Sequence, residues 1–345
     1  MKKIFKKIIF YIISFDFFRS LLINLLKQIS FQSERFLNIF NKSNDIELNN
    51  EIDIIKIKKL TENYIQSLCV KEKNQFIGYK HSHSCKKINL YSLISVLLTK
   101  HLFKIDNNVS EEINILKNYQ NKDGFFRDRN IDCKEANFAD DWGWRHLTLH
   151  ALMTLDLYSI KSNYPIKMGL ELTTNNINEK LSSYDWETKL PWTSNAVQNL
   201  CVYLQYNRKY FNQSNASDIL KKIELFINDK QSKYTGLFSD KFDTFEDLSN
   251  SVQSAYHFWL IYFSEGYEIN YKEKIIDHVL KTQNLVGGFG YKLNSSACED
   301  IDSIDILLRL SKQTDYRKND IKESLNKSVS AILNNLNKDG GWVFR

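Results

Sequence analysis

Apolar positions along this chain recur at helical spacing over long stretches, separated by polar turns that hold a Gly and an aromatic residue. Strongly apolar helices are predicted over residues 90–102, 141–157, 192–206, 248–263 and 300–310. One-sided, less apolar helices are predicted over residues 110–120, 217–230, 271–283 and 320–336. The order is therefore polar-faced helix, turn, apolar helix, repeated. A helix that is apolar nearly all round needs cover on most sides, so the apolar member of each pair belongs inside and its partner outside. Stacked helical hairpins bury a continuous core in this way.

The turns share one grammar. Gln120-Asn-Lys-Asp123-Gly124-Phe125-Phe126 is the clearest copy, followed by Gln231 with Gly236 and Phe238, Gln283 with Gly287, Gly288 and Phe289, and Asp339-Gly340-Gly341-Trp342. Weaker copies stand around Gly78-Tyr79 and Tyr184-Asp185-Trp186. Successive turns lie 46 to 62 residues apart, which is room for two helices and their loops. Gly admits the left-handed backbone that follows a helix C-terminus, and Asp123 or Asp339 can accept from turn amides. The Gln side chain has the reach and the donors to bond to the end of the next helix.

A length of 345 residues fits two domains or one repeat-built domain. With 43% hydrophobic and 13% aromatic residues the chain can fill a large core, which excludes a disordered class. Only 11 Gly and 2 Pro argue against an all-β fold with its many tight turns. Residues 1–44 hold eight bases and two acids, which accounts for the whole net charge of +6. The remaining body is neutral, so no nucleic-acid partner is expected. Five widely spread Cys residues suggest no disulfide framework and point to a reducing, cytoplasmic compartment.

The basic arm, residues 1–44, precedes a repeat domain over residues 45–345. Residues 8–15 are apolar apart from Ser14, and Asp16 then interrupts the run. Eight residues fall well short of the roughly 20 needed to cross a bilayer. Lysines beside Phe, Ile and Leu suit a helix lying in the membrane interface, peripheral at the inner membrane. The same pattern suits an amphipathic helix packed on the protein's own surface.

The turn grammar resembles the Gln–Trp repeat of the terpenoid cyclase and protein prenyltransferase superfamily. The first copy keeps the Gln, Asp, Gly and final aromatic, with Phe126 where Trp is commoner. Gln283, Gly287 and Phe289 match with Val286 in place of the Asp, and Leu336 replaces the Gln of the last copy. The resemblance spans about residues 57–345 and implies an all-α fold, an α/α toroid of inner and outer helices around a central hollow. Every other turn is followed by an inner helix, so the sixth one, expected after Trp342, is missing from the sequence, and a truncated member is the expectation. The implied function is binding of, or acid-initiated cyclisation of, an isoprenoid or similar lipid. A non-catalytic toroid that binds a lipid or protein, or a carbohydrate-active toroid, is the alternative.

Candidate chemistry sits at the starts of the inner helices. In Cys298-Glu299-Asp300-Ile301-Asp302-Ser303-Ile304-Asp305, the acids at Asp300 and Asp302 match two of the three in the Asp-x-Asp-Asp motif of the class II terpene cyclases, and Ser303 replaces the third. The resemblance implies Asp302 as proton donor. Crowded carboxylates in an apolar site keep one acid protonated, whereas a helix N-terminus favours the anion. Ordinary capping by Asp300 is the plain alternative. No cofactor is expected, apart from a Mg²⁺ option at Glu299, Asp302 and Asp305. Asp141, Trp142, Trp144, Arg145 and His146 open a second inner helix and could address a polar head group and line the hollow. Trp192, Tyr256, His257 and Trp259 could offer π-faces to a cation or simply fill core. The zinc Cys of the prenyltransferases is replaced by Ala255, so no metal site is expected there. His81-Ser-His83-Ser-Cys85 is a compact cluster without an evident fourth ligand.

Overall fold

The computed structural model describes residues 53–105, 108–131, 142–292 and 296–342. The arm over residues 1–44, Cys133 and the candidate Asp141 lie outside them. The described chain begins with α1 (Ile54–Leu68), whose first turn is capped by Asp53, the carboxylate accepting from the Lys56 amide at 2.8 Å. A short antiparallel β-hairpin follows, β1 (Cys69–Glu72) and β2 (Gln75–Tyr79). A glycine-aromatic turn was expected here, and the strands form instead because Val70, Phe76, Ile77 and Tyr79 make a short β-prone run around Lys73-Asn74. The rest is helical: α2 (Leu90–Phe103), α3 (Ser110–Asn118), α4 (Trp142–Leu157), α5 (Lys167–Leu170), α6 (Ile177–Ser182), α7 (Leu190–Phe211), α8 (Ala216–Lys230), α9 (Phe245–Glu265), α10 (Lys272–Lys281), α11 (Ala297–Leu310) and α12 (Lys318–Leu333).

These helices form two layers. The apolar helices α2, α4, α7, α9 and α11 pack side by side in chain order. The amphipathic helices cover them: α3 on α2, α5 and α8 on α7, α6 on α8, α10 on α9 and α11, and α12 on α11. The one-sided pattern of α8 buries Ile219, Leu220, Ile223 and Ile227, whereas α7 buries residues on most of its circumference. The largest fully buried side chains include Trp259, Tyr203, Tyr262, Phe126 and Phe258. In the third hairpin the covering helix is broken into α5 and α6, which accounts for the longest spacing between turns.

The turns fasten neighbouring hairpins. Gln120 Nε2 donates to its own turn at Gly124 O (2.9 Å) and to Tyr164 O of the next segment (2.9 Å), while its Oε1 accepts from the Tyr164 amide. The two Nε2 donations recur at Gln231, to Gly236 O and Asn270 O, and at Gln283, to Gly287 O and Ser324 O. The reach expected of these Gln residues is thus realised three times. Asp123 and Asp339 accept from the amides two residues on, as expected, and Asn284 takes that role where Val286 replaces the Asp. Leu336 has no amide to offer and is buried instead.

Close approach explains the turn glycines. A Cβ on Gly124 would lie 2.3 Å from the Pro165 carbonyl oxygen. A Cβ on Gly340 would lie 2.1 Å from the carbonyl oxygen of Leu60, in α1. Trp342 Nε1 also approaches Thr61 Oγ1 at 3.4 Å. The last described turn is therefore seated on the first described helix, in the way each earlier turn is seated on the segment after it.

Candidate functional site

The acids of α11 divide into structural and available ones. Glu299 accepts from the amide and the hydroxyl of Ser296, just ahead of the helix, and is buried there. Asp300 accepts from the Phe289 amide at 2.7 Å, fastening the preceding turn to α11. Thr148 does the same for Phe126 on α4, its hydroxyl accepting that amide at 2.9 Å. Asp300 and Glu299 are thus occupied by the backbone; the cap is Ser296 with Glu299, and Asp300, expected as the plain cap, holds the preceding turn instead.

Asp302 is different. Its side chain is buried, with 5% of the residue exposed. Burial holds its carboxyl well above the usual carboxylate range, and the neighbouring Glu299 and Asp305 carboxylates push it further the same way. No hydrogen bond to the charged form opposes them. Asp305, one turn on, accepts from Tyr256 Oη of α9 at 3.3 Å and from Arg309 Nε at 2.8 Å. Burial raises the Tyr256 phenol, and the Asp305 and Asp302 charges raise it further, so it stays a neutral donor beside both acids. With Glu299 bound to Ser296, Asp302 and Asp305 are the pair that a Mg²⁺ would meet. Among the described residues no group of three or more His, Cys, Asp or Glu side chains forms a metal cage.

A second cluster links α2, α4, α7 and α9. The Trp142 ring stacks on His146 (centroids 5.0 Å apart) and meets Trp192 edge-on at 4.8 Å. Trp192 is half exposed, 52%, and offers an open aromatic face. His146 Nδ1 lies 3.0 Å from Tyr91 Oη, and its Nε2 lies 3.2 Å from His150 Nε2. His257 Nδ1 lies 2.9 Å from Ser194 Oγ. Burial lowers His146 to about 4, and both burial and the His146 charge lower His257 to about 4 and His150 to about 3. All three imidazoles are neutral near pH 7. Sequence reasoning missed His150, Tyr91 and Ser194. The spacing His146-x-x-x-His150 carries the signal, because positions i and i+4 share a helix face.

The remaining candidates go elsewhere. Trp144 is buried, and Trp259 is fully buried against Phe238 and Tyr262. Both fill core, the plain reading of aromatic stripes. Arg145 contributes its carbonyl oxygen as the acceptor for Tyr203 Oη at 3.0 Å. In the first turn, Ser67 and Ser82 are the neighbours of the soft-ligand cluster: His83 Nε2 meets Ser67 Oγ and Cys85 Sγ meets Ser82 Oγ.

Between α4, α7, α9 and α11 lies a hollow of about 720 Å³. Leu152, Met153, Val202, Leu260 and Phe263 form its apolar wall, and Gln198, Gln205, Ser264 and Arg309 supply polar groups. Lys209 pairs with Asp156 at 2.6 Å, and Arg208 clamps Glu265 with two bonds at 2.7 and 2.9 Å. Arg309 lies over the Phe263 ring and reaches from the hollow to Asp305, one turn from Asp302. The hollow is thus lined by both apolar and hydrogen-bonding side chains, and Asp302, Tyr256, Trp142 and Trp192 are not among its lining residues. No described helix is long and apolar enough to cross a membrane. Comparison of the sequence with protein-family models and with curated proteins finds no match.

Proposed function

We propose that this chain is an enzyme built as an α/α toroid, in which Asp302 donates a proton to an isoprenoid or similar lipid and starts a cyclisation. The observation that carries the reading is Asp302 itself, a buried carboxyl that desolvation and two neighbouring acids push toward the acid form, with no hydrogen-bond donor to it among the described residues. The toroid reading rests on five apolar helices packed in chain order and on a last turn seated on the first helix. In the proposed step the Asp302 O–H bond breaks and the proton adds to one alkene carbon. The other carbon becomes cationic and Asp302 is left as carboxylate, with Tyr256 and Arg309 at hand to compensate charge through Asp305. Trp142, Trp192 and Tyr256 offer π-faces to the cation. Loss of a proton from the cyclised cation ends the sequence. The basic apolar arm would bring the protein to the membrane that holds such a substrate.

The polar side chains lining the hollow favour a second reading. Gln198, Gln205 and Arg309 are suited to hydroxyl groups, and an exposed Trp192 is suited to stacking on a sugar ring, so a carbohydrate-active or glycolipid-handling toroid fits as well. Thermal-shift titration with polyprenyl alcohols and diphosphates against oligosaccharides separates the two. Stabilisation by the polyprenyl series, with product formation that Asp302→Asn abolishes, supports the first reading. Unchanged product formation in Asp302→Asn, or stabilisation by oligosaccharides alone, removes it.

A further inference from the structure

We propose that His146 and His150, one turn apart on α4, form a two-imidazole site for a divalent transition-metal ion, with zinc the best-fitting class. The two Nε2 atoms face each other at 3.2 Å. A zinc ion sits about 2.0–2.1 Å from an imidazole nitrogen, so two such ligands at the tetrahedral angle stand about 3.4 Å apart. The pair already has nearly that separation. Burial keeps both rings neutral near pH 7. In the metal-free pair this contact is a hydrogen bond from one Nε2–H to the other ring, so binding the ion displaces that one proton, which passes to the same ring's Nδ1.

The surroundings accommodate the tautomer that a metal needs. Tyr91 Oη lies 3.4 Å from the Gly143 carbonyl oxygen, to which it can donate, and so can accept from Nδ1–H of His146 at 3.0 Å. That assignment leaves His146 Nε2 unprotonated and fixes its ring, which is the role an outer partner plays for a ligating histidine. Trp142 stacked on His146 holds the ring from the other side. No third His, Cys, Asp or Glu joins the pair among the described residues, so water or a substrate oxygen completes the coordination. His257 is close enough to feel the His146 charge, but its Nδ1 pairs with Ser194.

This site does not depend on the cyclase reading. The test uses the full tag-free chain, chelator-treated, in a Cys85→Ser, Cys298→Ser background that removes the exposed and first-turn thiols. Zn²⁺ is titrated by calorimetry and Co²⁺ by visible absorption. One equivalent should bind, with affinity reduced at least tenfold by His146→Gln or by His150→Gln. Tyr91→Phe, which keeps the aromatic packing, should weaken binding severalfold, and His257→Gln should leave it unchanged. Circular dichroism melts confirm that each variant is folded. If a histidine variant fails to fold, the Tyr91→Phe loss and a Zn²⁺-dependent rise in wild-type Tm remain as readouts. Absence of a bound equivalent, or an equivalent that survives the double variant His146→Gln/His150→Gln, overturns the proposal.

Discussion

Replacing Asp302 by Asn tests whether this carboxyl is an acid in the folded state, without any knowledge of substrate. The substitution keeps the shape and removes the titration. Asp302 has a reference value of 3.8, and burial together with Glu299 and Asp305 raises it in the fold. Between 3.8 and the raised value the folded chain binds a proton that the unfolded chain has released. The slope of unfolding free energy with pH is 2.303RT times the protons bound unfolded minus those bound folded, which is negative here. The Asp302 contribution is therefore fully present below about 3.8 and is lost as pH rises through the folded value, at about 1.4 kcal/mol per pH unit. Groups that do not interact with Asp302 are shared by the two proteins and cancel in the difference. The stability of Asp302→Asn minus that of the wild type should thus rise by about 1.4 kcal/mol per unit above pH 4, and level off at the folded value. Urea unfolding at stepped pH resolves a slope of that size. A flat difference, or one that falls with pH, would mean that Asp302 is ionised in the fold, and the proton-donor reading would go with it.

Three further outcomes follow from other parts of the molecule. His257 is held near 4 by burial, so its share of stability is complete above about 6.5 and drains as pH falls toward 4, at about 1.4 kcal/mol per unit; His257→Asn should flatten the wild-type acid limb over that range, and an unchanged limb would contradict the burial argument. Gly340→Ala forces a Cβ against Leu60 O in a backbone with φ of +91°, whereas Gly266 has φ of +71° and no atom within 4 Å of such a Cβ. Gly266→Ala should cost about 1 kcal/mol in urea unfolding and Gly340→Ala clearly more, so equal losses would argue against the tight seat of the last turn on α1. Lys100 and Glu112 form a buried pair at 2.7 Å, with Tyr79 Oη also donating to Glu112; Lys100→Met should cost about 3–5 kcal/mol, and a neutral result would show that the Glu112 charge finds water.

Much of the scaffold was legible because it rests on local rules. Apolar periodicity gave nine of the described helices within about five residues but not α1, and the Gln side chains at 120, 231 and 283 bridge to the next segment as their reach requires. The split of one covering helix into α5 and α6 was hidden, since its short apolar runs carry no clear period. The hairpin β1–β2 was hidden for the same reason. In the candidate site, residue type misled where partners lie far along the chain. Asp300 read as an acid of the chemistry, but the Phe289 amide eleven residues earlier needs an acceptor and takes it. The His146–His150 pair was missed because His146 was read alone, as a head-group residue, without His150 one turn on or the Tyr91 hydroxyl 55 residues earlier.

The tension between a helix N-terminus, which favours an anion, and crowded acids, which favour a proton, resolves by position along α11. The helix begins at Ala297, so Glu299 and Asp300 lie in its first turn and Asp302 lies beyond it. The field of a helix terminus fades over that one turn. Glu299 and Asp300 meet amide donors, from Ser296 and Phe289. Asp302 meets none, and what it feels instead is desolvation and the charges of Glu299 and Asp305. Two residues along the helix, about 200° round it, therefore separate a carboxylate that fastens the backbone from a carboxyl whose surroundings favour the acid form. The structural acids are part of the reason the third one is protonated: Glu299→Gln should remove one of the charges that hold Asp302 up, and so lower the pH at which the Asp302→Asn stability difference levels off. A plateau that stays in place in the Glu299→Gln background would show that burial alone sets the acid.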